Sequence, residues 1–252
     1  MNGYEICLAI FGGFFAGCIN TLAGNGSIIT LGIMTELLGL SGNMANGTNR
    51  VGIFVQGIFS LEAFARNKKI HWSKTSSYLI TGLIGAIIGA WVAVQISSED
   101  FKLVYKYLML VLLVILLIHP KHWLNPTEIS KKLPAYIYIP IFLCLGFYGG
   151  FIQMGMGLFF LAIMVLVVGL PLVEANAVKV LMVTAYTLVV ILIFHYKGYI
   201  DWKIGSIIAM GQGLGGWLTA QYASVIPSAN KWAYRMLIVI MIVTLLKLFH
   251  IV

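Results

Sequence analysis

Two positively charged residues lie inside apolar stretches of the sequence, each a few positions after an asparagine. Arg50 follows Asn46, and Lys179 follows Asn176. A charged side chain in a membrane helix costs about 2.5–3.5 kcal/mol on insertion scales, so such residues usually bind a ligand or a partner. Two cations at matching places in the chain, with amides beside them as neutral donors, indicate a binding site for an anion.

The two cations could also have a purely structural role. Their long side chains could extend to the membrane interface, or they could pair with Glu36 and Glu174. Glu174 lies five positions before Lys179, which is unfavourable spacing for a pair on one helix face. Both interpretations stay open on the sequence.

Two glycine-rich breaks interrupt the apolar stretches, at residues 24–27 and 155–157. The segments that follow, 28–40 and 158–170, are too short to cross roughly 30 Å of hydrocarbon as helices. We interpret them as half-helices or re-entrant segments, whose irregular backbone is tolerated only where it is buried in protein or lines a cavity. A helix that starts at such a break directs free N–H groups toward an anion. The alternative is that the glycines only permit close packing.

The candidate substrate-binding residues are the cations, the breaks and the amides near them: Asn20, Gly24, Asn25, Gly26, Ser27, Asn46, Asn49, Arg50, Gln153, Gly155, Gly157, Asn176 and Lys179. The five histidines and three cysteines show no metal-ligand spacing. No set of nucleophile, base and orienting group is visible either. We expect no catalytic residue, no metal site and no cofactor.

The composition defines the kind of protein that carries these residues. Of the 252 residues, 60% are hydrophobic and 10% are charged. A soluble domain has roughly 25% charged residues, so a soluble enzyme, a disordered chain and a fibrous protein are excluded. Most apolar stretches are about 19–23 residues long, enough for membrane-spanning helices. The net charge of +8 lies mostly in short loops, where the positive-inside rule explains it without a nucleic-acid partner.

Several motifs occur twice in the same order, which predicts an internal repeat. The Gly-x-x-x-Gly pair at 13–17 returns at 146–150, and the pair at 85–89 returns at 211–215. Such pairs are typical of close helix contacts. The predicted fold is all-α: a polytopic membrane protein of two homologous repeats, each with a glycine-broken segment and three further helices. The expected domains are a first membrane repeat at 1–119, a cytoplasmic linker at 120–134 and a second membrane repeat at 135–252.

The orientation of the two repeats depends on the path of residues 4–40. If the first helix and the half-helix form a hairpin, the halves are inverted and both termini face outward. If they form one broken span, the halves are parallel and both termini face inward, which the charges of Lys197 and Lys203 favour slightly. Inverted repeats are common in secondary transporters, and we favour that arrangement. The basic segment 66–74 is predicted to be cytoplasmic and the turn 97–100 external.

Whole motifs of the sequence resemble those of a known family. Residues 17–31, Gly39-Leu40 and residues 45–50 are similar to the sulfite exporter TauE/SafE family, also called the toluene-sulfonate uptake permeases. Residues 174–179 and 198–202 resemble the family's second repeat. The resemblance covers nearly the whole chain.

The resemblance implies a multi-pass permease of the bacterial inner membrane that moves sulfur-containing anions such as sulfite, sulfonates or sulfoacetate. Proton coupling is commonly assumed for the family. Asn25 interrupts the run of glycines that many members have at the first break, and the second break, at 154–158, lacks their fuller glycine cluster. The residues that fall on the family's motifs are Asn20, Gly24, Gly26, Ser27, Asn46, Asn49 and Arg50 in the first repeat, and Asn176 and Lys179 in the second.

These observations predict a secondary transporter with alternating access around a cationic site at the membrane midplane. The alternatives are an anion channel and a non-transporting membrane partner subunit. The expected partners are a small sulfur-containing anion and the lipid bilayer. Protons as the coupling ion and a homodimer are left open, and no nucleic acid is expected.

Overall fold

The chain is helical throughout the part that the structure describes. The computed structural model describes residues 1–66, 72–118, 134–168, 170, 172–222 and isolated positions between 235 and 249. No strand occurs within these residues. The all-α prediction is therefore confirmed. The predicted linker, apart from Pro134, and most of the last apolar stretch lie outside the described residues.

The described residues form nine α-helices, two of which continue into a short π-helix. Their bounds are α1 Gly3–Ala23, α2 Ser27–Gly32 with the π-helix Ile33–Leu37, α3 Gly42–Arg66, α4 Trp72–Ala93, α5 Ser98–Ile118, α6 Ala135–Phe151, α7 Met156–Ala162 with the π-helix Ile163–Val167, α8 Leu172–Tyr196 and α9 Trp202–Tyr222.

Two helical segments qualify as membrane spans by length and composition alone, Gly3–Leu22 in α1 and Val173–Tyr196 in α8. Other apolar helical segments are shorter. α3 has 25 residues but carries buried polar side chains along much of its length. Buried polar side chains at membrane depth usually face the interior of a helical bundle or a cavity, so α3 is expected to line the site.

The first helix ends at the predicted break. Asn2 and Glu5 form a capping box at its start. At its end Gly24 has a φ of 77°, and its N–H donates to the carbonyl oxygens of Ile19 and Asn20. This left-handed conformation closes the helix and is one that glycine adopts without steric cost.

The second break lies between α6 and α7 and contains two residues in the left-handed region. Gly155 has a φ of 77° and Gln153 a φ of 62°. A residue with a side chain is strained in this region, and such strain concentrates at functional sites. Both interrupted helices predicted from the glycines are thus present. The π-helices that follow α2 and α7 were not predicted, and π-helical turns are frequent at functional sites.

Glycine pairs bring distant helices into backbone contact. A Cβ added to Gly13 would lie 2.6 Å from the carbonyl oxygen of Ile208, so α1 packs closely on α9. A Cβ added to Gly85 would lie 2.8 Å from the backbone nitrogen of Phe147, so α4 packs in the same way on α6. The interpretation of the Gly-x-x-x-Gly pairs as close helix contacts is confirmed.

α1, α3 and α9 run parallel, because facing residues advance together along all three helices. The facing sets are Gly13, Gly52 and Ile208 at one level, and Gly17, Gln56 and Gly216 further along. Since α1 and α3 are parallel, the segment between them must bring the chain back, and α1 and α2 form a re-entrant hairpin. α8 runs opposite to α3, because Gly47 faces Phe194 whereas Gly57 faces Thr184.

Candidate functional site

The two helix breaks contact each other directly. A Cβ added to Gly24 would lie 2.6 Å from the carbonyl carbon of Gly157, and one added to Gly157 would lie 2.8 Å from the carbonyl oxygen of Gly24. Any side chain at either position would push the two segments apart. Next to this contact lies a cavity of about 20 Å³, which has room for a single water molecule.

Residues from both halves of the chain line this cavity. Five of the predicted site residues belong to its wall: Asn20, Gly24, Gln153, Gly157 and Lys179. The structure therefore brings together a cation, two amides and both breaks, which lie more than 120 residues apart in the sequence.

Lys179 is buried, with 3% of its surface exposed, and its ammonium binds the end of α1. The Nζ group donates to the carbonyl oxygens of Asn20 at 2.9 Å and Thr21 at 3.2 Å, and to Oδ1 of Asn176 at 2.6 Å. The Nδ2 group of Asn176 donates to the carbonyl oxygen of Leu22 at 3.4 Å. Lysine and asparagine together satisfy the last carbonyl groups of α1, at the negative end of its dipole.

Arg50 is fully buried and binds the end of α6 in the same manner. Its Nη1 group donates to the carbonyl oxygen of Gly149 at 2.6 Å and to Oε1 of Gln153, and its Nη2 group donates to the carbonyl oxygen of Gly150 at 2.9 Å. Asn46 accepts from Nη2 at 3.1 Å. The Nδ2 group of Asn46 in turn donates to the carbonyl oxygen of Phe151 at 2.8 Å.

Lys179 and Arg50 differ in their access to the cavity. Lys179 is part of the cavity wall. Arg50 contacts the wall through Gln153, which accepts from the guanidinium and itself faces the cavity. Lys179 thus lies directly on the cavity wall and Arg50 does not, although neutral oxygens already engage the ammonium and both Nη groups of the guanidinium.

The charge of these two residues is not balanced by a buried acid. Among the described residues, no aspartate or glutamate belongs to the buried side chains. The hydrogen bonds of both cations go to carbonyl and amide oxygens, and both side chains are enclosed by protein. Helix C-termini offset part of this charge. The two buried cations therefore lie beside neutral oxygens, with no buried carboxylate among the described residues.

The remaining predicted residues of the first break, Asn25, Gly26 and Ser27, lead into α2 and do not line the cavity. Gly26 packs against α1, where a Cβ would lie 2.7 Å from Cβ of Asn20. Asn25 and Ser27 are buried, and neither amide atom of Asn25 nor the Ser27 hydroxyl has a hydrogen-bond partner. Asn49 accepts from the hydroxyl of Thr30 at 2.5 Å, while its own Nδ2 group is unpaired.

The starts of the two short helices offer fewer free N–H groups than the sequence suggested. The N–H groups of Ile28 and Ile29 donate to the carbonyl oxygens of Asn25 and Gly26. The N–H group of Leu158 donates in the same way to the carbonyl oxygen of Gly155, the N-cap residue of α7. The tight backbone of each break supplies acceptors three residues back, so the first turn is largely satisfied locally.

Two polar residues of the cavity wall were not among the predicted ones. Gln56 accepts from Nδ2 of Asn20 at 2.9 Å and donates to the hydroxyl of Thr21 at 3.0 Å. Thr184 lines the opposite side and donates to the carbonyl oxygen of Val180. Gln56 lies seven positions after Asn49, two helical turns along the same face, and that spacing was the available signal.

The described residues contain no group of three or more His, Cys, Asp or Glu side chains that could hold a metal ion. What they do contain is a set of interrupted helices that meet around buried cations and amides. This is a helical membrane protein with its polar site at the helix breaks, the arrangement in which secondary transporters hold their substrates.

The chain belongs to the sulfite exporter TauE/SafE family, whose sequence model matches residues 9–248. It is 27% identical over 231 residues to a probable membrane transporter protein of Haemophilus influenzae, covering 91% of this chain and 88% of the relative. It is 25% identical over 211 residues to the probable membrane transporter protein ORF9 of a Sinorhizobium species, covering 83% and 80%. The probable membrane transporter protein YfcA of Escherichia coli K12 is 23% identical over 244 residues, covering 95% and 88%. No solved structure matches the chain.

Proposed function

We propose that this protein is a secondary transporter of small sulfur-containing anions, such as sulfite, sulfonates or sulfoacetate, across the bacterial inner membrane. It is a multi-pass protein in this proposal, and protons are the candidate coupling ion. The observation that carries the proposal is the ammonium of Lys179 on a polar cavity where two helix breaks meet. Family membership and the names of the relatives support the transporter class.

The charge balance of the interior favours an anion as substrate. Burying a charge without a counter-charge is costly. An anion in the cavity would replace one of the three present acceptors of Lys179 with a charge-assisted hydrogen bond and offset that cost, whereas a cation would increase it. The neutral amides of Asn20, Gln56 and Gln153 would orient the oxygens without holding the anion too tightly to release it.

Arg50 acts as a positioning residue in this mechanism. It holds the end of α6 and the side chain of Gln153, so that the amide stays at the cavity wall. Asn46 and Asn176 have the same role, because each ties a cation to the end of an interrupted helix. Lys179 alone combines this role with direct contact to the substrate.

The cavity must widen for transport. At about 20 Å³ it holds one water molecule, and a group with a sulfur and three oxygens is larger. Gly24 and Gly157 touch through their backbones, so separating the two breaks would open the cavity without rearranging any side chain between them. Rocking one set of helices against the other then exposes the site to each side in turn.

We further propose that the chain consists of two inverted repeats, at 1–119 and 135–252. The antiparallel course of α3 and α8 supports this, since these helices carry the matching cations. The hydrogen bonds between the two halves support it as well, because the cation of each half binds the interrupted helix of the other half. Arg50 binds the end of α6, Lys179 binds the end of α1, and the paired asparagines bind the next carbonyl of each helix.

Uptake of labelled sulfite, sulfate and a short sulfonate into proteoliposomes, with and without a proton gradient, tests the proposal. We expect saturable uptake of one sulfur anion that responds to the gradient and falls to background in Lys179→Met. The matched control is Lys197→Met, which removes an exposed lysine and should leave uptake unchanged. Normal uptake by Lys179→Met would remove the lysine from the site.

The same measurement separates the alternatives. Flux that does not saturate and ignores the proton gradient would indicate an anion channel. No flux of any sulfur anion by protein that is folded in the membrane would favour a non-transporting partner subunit.

A further inference from the structure

A line of buried polar residues leads away from the cavity along one face of α3, and the proposed mechanism does not use most of it. The α3 polar face consists of Asn49, Gly52, Gln56 and Ser60, which recur at helical spacing. Each of the three side chains is at most 2% exposed. In a membrane protein such residues usually mark the path of a solute or an ion.

The α3 polar face is enclosed by α1 and α9. Gln56 shares hydrogen bonds with Asn20 and Thr21 of α1, and the Ser60 hydroxyl lies 3.5 Å from that of Thr21. Gly216 of α9 completes the enclosure, since a Cβ there would lie 2.7 Å from the Ser60 hydroxyl. The polar groups at this level are thus bonded to one another.

On the other side of the cavity, toward the start of α3, buried amide groups lack hydrogen-bond partners. Gln212 of α9 is fully buried, and neither atom of its amide has a hydrogen-bond partner. It faces Gly52, where any Cβ would overlap the amide oxygen. Asn49, one turn before Gly52, has an unpaired Nδ2 group. Buried amides without partners are rare in native structures, and strain, a functional role or a bound water or ion explains them.

The corresponding contact on the far side of the molecule is apolar. Where α8 packs on α4, a Cβ on Gly82 would lie 3.0 Å from the sulfur of Met182. Nearby, the rings of Tyr78 and Phe142 stack with centroids 4.5 Å apart. In this contact the glycine lies on α4 and the methionine on α8, and its described residues include no unpaired amide.

We propose that Asn49 and Gln212 form a second subsite for an oxyanion, reached from the central cavity along the α3 polar face. Their amide N–H groups would bind oxygens of the anion, and the glutamine carbonyl would hold a water that travels with it. The positive interior set by Lys179 and Arg50 favours an anion over a cation here as well. Only the identity of the transported anion rests on the proposed function.

Cysteine labelling tests this subsite in the full-length protein in proteoliposomes. Gln212→Cys is made after replacing the native Cys7, Cys18 and Cys144 by alanine, and is treated with the anionic reagent methanethiosulfonate ethylsulfonate. We expect modification of this cysteine, slowed about tenfold or more by saturating sulfite. The matched control is Met182→Cys in the apolar α8–α4 contact, which should stay unmodified.

A second cysteine variant, Thr184→Cys in the central cavity, distinguishes failure of the second subsite from failure of the proposed function. If Thr184→Cys reacts and Gln212→Cys does not, the central site stands and the second subsite is wrong. If neither reacts, both are wrong. If Gln212→Cys reacts while no sulfur anion is transported, the subsite stands and the assigned substrate is wrong.

A transport measurement supplies an independent outcome. Gln212→Met keeps the length of the side chain but removes the amide, so the loss of hydrogen bonds to an anion should raise the KM for sulfite about tenfold or more. Unchanged KM and kcat in Gln212→Met, with an unmodified Gln212→Cys, would overturn the proposal.

Discussion

Arg50 and Lys179 make similar contacts with different chemistry. The ammonium of Lys179 has three donors, and it meets three acceptors. The guanidinium of Arg50 spreads its donors in a plane and reaches two backbone carbonyls and two side-chain amides at once. A lysine cannot reproduce that fork, so the two cations are not interchangeable.

We predict that Arg50→Lys destabilises the protein. The shorter point charge would leave at least one buried oxygen at the end of α6 without a donor, at a cost of about 1–3 kcal/mol. The unfolding temperature in detergent, followed by thiol reactivity or tryptophan fluorescence, should fall clearly below that of the wild type.

Arg66→Lys is the control for this prediction. Arg66 is exposed and pairs with Glu62 one turn earlier, and an exposed pair contributes little to stability. Equal unfolding temperatures for Arg50→Lys and Arg66→Lys would contradict the assignment of Arg50 as the residue that holds α6.

At the scale of elements, the contact between the two breaks is the feature on which movement depends. Gly24 and Gly157 leave no side chain between the segments, so the two breaks meet through backbone alone beside the cavity. Each break also continues into a short helix that ends in a π-helical turn. These segments have fewer regular hydrogen bonds than α3 or α8 and are suited to shift relative to them.

Gly157→Ala should therefore lower both stability and transport. The added Cβ would overlap the backbone of Gly24, which a flexible side chain cannot relieve, and such overpacking costs about 1–3 kcal/mol. We expect a lower unfolding temperature and reduced sulfite uptake, because the breaks would be held apart.

Gly39→Ala separates this effect from backbone strain. Gly39 has a φ of 67° but nothing within 4 Å of an added Cβ. Replacing it by alanine costs only the strain of a side chain in the left-handed conformation, about 1–2 kcal/mol. If Gly39→Ala impaired sulfite uptake as much as Gly157→Ala, the special importance of contact between the breaks would be disproved.

The sequence predicted the elements better than the contacts between them. Interrupted helices were foreseeable because glycines divide apolar stretches that are otherwise long enough to span. The partners of the two cations were not, because Arg50 binds a carbonyl 99 residues away and Lys179 one 159 residues away. The unpaired amide of Gln212 could not be predicted either. A single glutamine in an apolar helix does not indicate which glycine of another helix faces it.

At the scale of the whole molecule, the directions of the helices make a prediction about sides of the membrane. If the repeats are inverted, the turn near Glu99 and the turn near Lys197 lie at the same end of the bundle. This follows from the directions of α3, α4 and α8. The end of α3 at Arg66 then lies at the opposite end. Parallel repeats would put Glu99 and Lys197 on different sides.

Side-specific labelling measures this directly. Cysteines introduced at Glu99, Lys197 and Arg66, all exposed positions, are treated with an impermeant maleimide in intact cells and in inverted vesicles. We expect Glu99→Cys and Lys197→Cys to react from the outside and Arg66→Cys from the inside. Reaction of Lys197→Cys only from the inside would contradict inverted repeats.

The pairing of α1 with α9 has a consequence for biosynthesis. α1 ends at Ala23, and the helix against which its glycines pack begins at Trp202. At ordinary rates of about 5–20 residues per second, the ribosome needs roughly 10–40 s to make the chain between them. For that time the glycine face of α1 that packs on α9 lacks this partner. The contact between α1 and α9 therefore forms only after almost the last part of the chain has been made.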